Sequence, residues 1–307
     1  MANNIIETVC VVGSGHMGWI FGCQCAVHGY PVWLYDIDEK SLQQAEKNVF
    51  QELCARVEKQ QLTDQENKAI VERIQFVHEL EGDATQADLA FEAVPERLEL
   101  KREVFAQLDR IFPSNTILAT GSSALPVSQI EDVTQRPDRV LNTHYYPPIW
   151  KMPMGEMMRG TATSEETLAT VRQFMQSIGV TPLAVLKEST GYLFNRIWRA
   201  IKKECLTVVD TGVARLEDVD RAWNIFIRVF DASTVPGPFA LMDIIGLDSI
   251  LNIENVYYQK SGNNADAPPQ LLTDKVEGKE LGVKTGKGFY DYPNPAFQNP
   301  RWLSGKE

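Results

Sequence analysis

The sequence predicts an α/β fold in which a mainly parallel, doubly wound sheet is followed by a smaller all-helical domain. Three observations predict it. A glycine-rich turn, Gly13-Ser14-Gly15-His16-Met17-Gly18, joins an apolar β-branched run to a helix-length segment. Strand-like and helix-like stretches then alternate as far as residue 185, and beyond Gly191 the apolar spacing is helical. This reading puts a sheet domain at 1–187 with a helical insertion at about 40–74, a helical domain at 188–296 and an extended tail at 297–307.

The first strand is Val9-Cys10-Val11-Val12, and the helix after the turn closes at Gly29, which can serve as its C-cap. Pro31-Val32-Trp33-Leu34-Tyr35 forms a second strand ending on Asp36. A tight turn, a close backbone approach to pyrophosphate and helix–strand packing each exclude a β-carbon, and Gly13, Gly15 and Gly18 fill those three positions. The pyrophosphate would meet unpaired N–H groups at the positive end of the helix, beside His16 and Met17. Asp36 stands 18 residues beyond Gly18, close to the offset of a carboxylate that accepts from the adenosine ribose 2′-OH. It would repel a 2′-phosphate, so a Rossmann-type domain binding NAD is expected, with Gly13, Gly15, His16, Met17, Gly18 and Asp36 around the cofactor. A lone GxGxxG string is a common loop device; the flanking strands, the helix and the terminal acid make this one specific.

Two helices, 40–59 and 64–73, meet at Gln60-Gln61-Leu62-Thr63, with Thr63 and Glu66 at capping-box spacing. This excursion is longer than a crossover requires and either walls a ligand site or covers the sheet. Strands are expected at 74–77, 89–94, 116–120, 139–145 and 179–185, with helices at 98–112, 126–131 and 165–177. Ligands of such sheets bind beyond the carboxyl ends of the strands. Asp36, Glu96, Ser123 and His144 all fall at or just after those ends.

Helices at 192–210, 216–227 and 237–258 have apolar faces that could also pair with a second copy of the chain. A net charge of −11 over 307 residues, with no long basic run, argues against nucleic acid. Asp243 and Asp248 interrupt the most apolar stretch, so no membrane span is expected. The opening Met1-Ala2-Asn3-Asn4 lacks a basic leader, which makes a cytoplasmic protein the expectation. The five cysteines, Cys10, Cys23, Cys25, Cys54 and Cys205, have neither metal-ligand nor CxxC spacing. Reduced, packed thiols and no metal follow.

A dehydrogenase removes a hydroxyl proton as hydride leaves the adjacent carbon, so it needs a base that titrates near working pH. Of four histidines, His16 lies in the phosphate turn, His28 and His78 flank peripheral turns, and His144 follows a strand end over the expected nicotinamide. A carboxylate would fix the tautomer of such a base and stabilise its imidazolium. Glu156, beyond a proline-rich bend, either folds back for that purpose or is a surface acid in a loop. Read alone, Ser123 is equally a helix N-cap, Asn195 an exposed helix residue, Lys101 a solvated lysine and Lys284 a turn residue.

Gly13 to Gly18, Asp36, Glu92-Ala93-Val94-Pro95-Glu96, Ser122-Ser123, His144, Asn195-Arg196 and Lys284-Thr285-Gly286-Lys287-Gly288-Phe289-Tyr290 occur in that order. The set resembles the L-3-hydroxyacyl-CoA dehydrogenase family over nearly the whole chain, a family that includes hydroxybutyryl-CoA dehydrogenases and members similar to lambda-crystallin, L-gulonate dehydrogenase and diketoreductase. The resemblance implies that His144 is the general base and Glu156 its orienting carboxylate. It implies that Ser123 and Asn195 bond the reacting oxygen and position substrate and nicotinamide, and that Glu96, Lys101, Ser123 and Lys284 line the NAD site. A small-molecule substrate and a homodimer formed through the C-terminal helices are also implied.

The chain departs from the family pattern in three places. Pro147 replaces an asparagine, Trp150 stands where a smaller apolar residue is usual, and the run 223–238 is bulkier than the usual link. Arg56 and Lys59, with Lys68, could meet CoA phosphates, but Glu52, Glu58, Asp64 and Glu66 are interleaved with them, as on a solvated helix face. The expected activity is NAD-dependent interconversion of a 3-hydroxy and a 3-keto group on a 3-hydroxyacyl-CoA, as in fatty acid metabolism. The alternatives are the same chemistry on a non-CoA 3-hydroxy acid or diketo compound, and a non-catalytic, crystallin-like NAD-binding protein.

Overall fold

Eight strands are found among the described residues: β1 (Val9–Val12), β2 (Val32–Tyr35), β3 (Ile74–Val77), β4 (Leu89–Glu92), β5 (Ile117–Thr120), β6 (Val140–Tyr145), β7 (Met154–Arg159) and β8 (Thr181–Val185). They form one sheet in the order β3-β2-β1-β4-β5-β6-β7-β8. The computed structural model describes residues 5–189, 191–228 and 237–299. All pairings are parallel except β6 with β7. β1 and β4 are buried at every position, as strands covered on both faces must be, which is why β1 is apolar throughout and β4 is apolar up to Glu92, a buried carboxylate at its end. Strand order reverses between β1 and β4, and the crevice beyond their carboxyl ends is where a ligand of a doubly wound sheet binds.

The helices of this part are α1 (His16–Val27), α2 (Glu39–Glu58), α3 (Asp64–Glu72), α4 (Leu98–Ile111) and α5 (Glu165–Ser177). Asp38 caps α2 by accepting from the Ser41 amide, and Thr63 with Glu66 forms the capping box that their spacing predicts for α3. α1 begins at His16, so the last residues of the glycine turn already belong to the helix. The helix expected at 126–131 is instead two short 3-10 turns, Val127–Gln129 and Glu131–Val133.

The largest departure from the sequence reading is β7. Residues 154–159 carry Glu156 and Arg159 among methionines and a glycine, a composition without strand character, yet they pair antiparallel with β6. Long-range pairing to β6 on one side and β8 on the other overrides local propensity here.

The chain divides into two compact units, Met1–Lys202 and Lys203–Glu307. α6 (Phe194–Asp210) is followed by α7 (Leu216–Arg228), α8 (Pro238–Ile245), α9 (Leu247–Ser261) and α10 (Gln270–Glu277). The single helix expected at 237–258 is broken at Gly246, whose φ of +102° is left-handed and ends α8. The Lys284–Tyr290 segment that marks the family by sequence works as a clasp. Buried Asp243 accepts from the amides of Phe289 and Tyr290, both at 2.9 Å, and from the Tyr292 hydroxyl at 3.1 Å. Gly288 lies so close that a β-carbon would stand 2.1 Å from an Asp243 carboxylate oxygen. In the expected tail, Ala296–Gln298 is a 3-10 turn and not extended, while 300–307 lie outside the described residues, as do residues 229–236 of the bulky run. No helix among the described residues is long and apolar enough to cross a membrane.

Candidate active site

The glycine turn is built by contact with neighbouring backbone. Gly13 leaves β1 at φ +103°, and a β-carbon there would stand 2.8 Å from the Ala93 carbonyl oxygen. At Gly18 a β-carbon would stand 1.9 Å from the Gly13 carbonyl oxygen, so the helix can lie this close only without a side chain. Gly15 has nothing within 4 Å of that position, leaving the space a phosphate needs. The first turn of α1, including exposed His16 and half-buried Met17, has no side-chain cap and no acid. Its N–H groups therefore suit an anion.

A cavity of about 990 Å³ runs from Gly13 and Gly15 past Asp36 to His78, Pro95 and Arg97, within the first unit. Asp36 Oδ2 accepts from the Ser14 amide and hydroxyl, both at 2.8 Å, and Oδ1 accepts from the Asp38 amide at 3.0 Å. Three donors thus fix the carboxylate on the cavity wall with lone pairs to spare for a ribose. The residues present fit NAD. Asp36→Ala is expected to weaken NADH binding by about 10- to 100-fold, the worth of one or two charge-assisted hydrogen bonds. Fluorescence titration with NADH measures it, and an unchanged Kd would remove Asp36 from the cofactor site.

Across the carboxyl ends of β5 and β6 runs a line of three side chains. Glu156 pairs directly opposite His144 in the β6–β7 ladder. Its Oε2 lies 2.9 Å from His144 Nδ1, and His144 Nε2 lies 3.1 Å from Ser123 Oγ. A carboxylate only accepts, so Nδ1 carries the proton and Nε2 presents its lone pair toward Ser123. His144 is 5 % exposed and Glu156 fully buried. Burial opposes charge on Glu156, but donors from His144, the Phe194 amide, Tyr146 and the Leu193 amide outweigh it and hold the carboxyl below its ordinary range.

Ser123 owes its position to Glu96, whose Oε1 accepts from the amides of Ser123 and Ala124, both at 3.0 Å, and from the Ser122 hydroxyl. Burial again opposes charge, and the Ser122 hydroxyl, the Lys101 ammonium and the Ala124 amide outweigh it, so Glu96 stays ionised below the usual carboxylate range. Lys101, expected in the cofactor site from the resemblance, is 1 % exposed. Its ammonium donates to buried Glu92 at 2.7 Å and lies 3.3 Å from Glu96. Buried on α4, it meets the Ser123 end of the site through Glu96.

The remaining expected residues are dispersed. Arg56 donates to Glu52 at 2.8 Å and lies over the Trp150 ring at 4.4 Å, while Trp150 packs near Trp19 at 6.2 Å. Lys59 is exposed at the C-cap of α2. Asn195 is half-buried in the first turn of α6. Lys284 belongs to the second unit, where it pairs with Asp248. The bend between β6 and β7 contains a cis Pro147–Pro148 peptide.

Three residues of the site were missed by sequence reasoning, Asn142, Tyr146 and Tyr192, and Ser122 was named only within the Ser122-Ser123 motif, without a role. The Asn142 amide donates to the Ser122 carbonyl at 2.9 Å, and the Tyr192 hydroxyl donates to the same carbonyl at 2.7 Å. Tyr192 holds φ at +48°, a conformation costly for an aromatic residue, with its ring 5.2 Å from that of His144. For Tyr146 a signal existed. Residues two apart along a strand share a face, so a side chain at 146 follows His144.

An imidazole held by a buried carboxylate, in a domain with a dinucleotide turn, is the equipment for taking a proton from a carbinol as hydride departs. The chain is an NAD-dependent oxidoreductase of the class that acts on CH–OH groups. Residues 8–189 match the NAD binding domain of 3-hydroxyacyl-CoA dehydrogenase and residues 191–292 match the C-terminal domain of the same enzymes. The chain belongs to the 3-hydroxyacyl-CoA dehydrogenase family.

Among its relatives is a probable 3-hydroxybutyryl-CoA dehydrogenase of Bacillus subtilis, 36% identical over 287 residues, which are 94% of this chain and 98% of that protein. The solved 3-hydroxyacyl-CoA dehydrogenase of Archaeoglobus fulgidus superposes with a TM-score of 0.75 at 29% identity, over 97% of this chain and 96% of its own. A diketoreductase, described as acting on dicarbonyl compounds, superposes with a TM-score of 0.68 at 32% identity over 94% and 99% of the two chains.

Proposed function

We propose that this protein interconverts a 3-hydroxyacyl-CoA and its 3-keto form, with NAD bound along Gly13, Gly15, Gly18 and Asp36. The observation that carries the proposal is the unbroken line Ser123, His144, Glu156. When bound, NAD accepts the hydride from C3. His144 Nε2 takes the hydroxyl proton, and the Nδ1–H bond to Glu156 holds the ring in the tautomer that leaves Nε2 free to do so. Glu156 then balances the charge on the imidazolium. Ser123 and the Asn195 side chain would hold the substrate oxygen as its bonding changes. In the reverse direction the same imidazolium returns the proton. The family division at residues 189 and 191 supports assigning cofactor binding to residues 1–187 and substrate and dimer contacts to 188–296. Apolar residues Ile197, Trp223 and Ile225 are exposed on the helices, which supports a homodimer. We assign the enzyme to the cytoplasm.

A second reading is favoured by one observation. Arg56, the cation best placed by sequence to meet CoA, is already bonded to Glu52 and stacked on Trp150. A substrate without CoA, a 3-hydroxy acid or a diketo compound, needs no phosphate contact there. The deciding experiment follows NADH consumption with acetoacetyl-CoA, free acetoacetate and a diketo ester in parallel. Turnover of the thioester at least tenfold above the others is expected; turnover confined to the free acid or ester would move the enzyme to the non-CoA reading.

A further inference from the structure

The carboxylate oxygen that meets His144 is shared. Tyr146 donates its hydroxyl to Glu156 Oε2 at 2.7 Å, and the same oxygen lies 2.9 Å from His144 Nδ1. The other oxygen, Oε1, accepts from the amides of Leu193 at 2.8 Å and Phe194 at 2.7 Å. The Tyr146 ring stands edge-on to His144 with centroids 4.7 Å apart and to Phe194 at 5.2 Å, and the residue is 7 % exposed.

We propose that Tyr146 is a positioning residue that sets the proton affinity of the catalytic base by dividing Glu156 Oε2 between two donors. The inference rests on the assignment of His144 and Glu156 above. A carboxylate oxygen that already accepts a phenol proton has less charge to offer an imidazolium, so the shared oxygen favours the neutral ring that the oxidation direction requires. Burial, reinforced by the Glu156 charge, pushes the Tyr146 phenol far above working pH, so the hydroxyl remains a donor throughout. A phenylalanine would fill the same space, and what the hydroxyl adds is this bond alone. The other polar groups facing the pair are Ser123 on His144 Nε2, Tyr192 against the His144 ring, Asn142 behind Tyr192, and Glu96, backed by Lys101 and Glu92, behind Ser123. None of these bonds to Glu156 Oε2.

The test compares the full-length enzyme with Tyr146→Phe by NMR titration of the His144 ring protons, assigned through His144→Gln. This reads the pair without any substrate. The midpoint is expected to rise by about 0.5–1 pH unit in Tyr146→Phe, and the acid limb of kcat/KM for alcohol oxidation should rise with it. Replacing Tyr146 with 3-fluorotyrosine, a stronger donor of the same shape, should move the midpoint down. In a Glu156→Gln background the phenylalanine substitution should no longer shift the curve. A midpoint that is unchanged or lower in folded Tyr146→Phe overturns the proposal, as does a rise that persists in the Glu156→Gln background. Failure of the underlying assignment would look different: His144→Ala would keep its turnover while the titration shift remained.

Discussion

Replacing His144 with alanine is expected to lower turnover by roughly 10²- to 10⁴-fold, the usual contribution of a positioned general base, while NADH affinity should stay within about threefold of the parent, since the cavity proposed for the cofactor lies at Asp36 and the glycine turn. Nε2 faces Ser123 and its lone pair is set by the Nδ1 bond to Glu156; among the described residues no other histidine contacts this line, since His16 stands on the first turn of α1, His28 bonds the Gln24 carbonyl and His78 lines the cavity beside Asp36. Steady-state kinetics with NADH titration measures both quantities. Near-normal turnover with cofactor bound would remove His144 from the base role.

Glu156→Ala is expected to be the most damaging single change, because it costs structure as well as chemistry. Four donors converge on this carboxylate: the His144 ring, the Tyr146 hydroxyl and the amides of Leu193 and Phe194. Deleting the acceptor leaves them without a partner in a buried site, at a cost of about 3–5 kcal/mol. A fall in melting temperature on the order of 10 °C should accompany the loss of activity. Glu156→Gln keeps the shape and much of the stability, yet it can present an amide N–H to Nδ1 and so favour the wrong tautomer, with turnover expected to fall about 10²- to 10⁴-fold.

The stability contribution of Glu156 also depends on pH. Its folded-state value lies below the ordinary carboxylate range. The folded state therefore binds this proton less readily than the unfolded chain, and the contribution is fully present above the unfolded value of about 4.3. It fades as pH falls through the folded value. The stability difference between parent and Glu156→Gln, measured by denaturant unfolding, should shrink in acid below about pH 4. A difference that grows as pH falls would contradict the bonding described here.

The dinucleotide turn was legible in the sequence because its determinants are local. Gly13, Gly15, Gly18 and Asp36 sit within one strand–turn–helix–strand unit, where each glycine answers a backbone constraint and the acid follows at a fixed offset. His144 could be ranked first among four histidines because it falls at a strand end, and strand ends collect on one side of a parallel sheet.

What the sequence determined by itself was therefore the α/β class, the dinucleotide turn and a first-ranked candidate for the base, His144. Only the tertiary structure decided that residues 154–159 are a strand, which turns Glu156 from an acid of open meaning into the partner opposite His144. It likewise decided that Lys101 is buried behind Glu96, that Arg56 is stacked on Trp150, and that Tyr146 shares the carboxylate. Periodicity and turn chemistry act over a few residues, and so they can be read along the chain. Burial, ladder register and the partner of a charge depend on which distant segments the fold brings together.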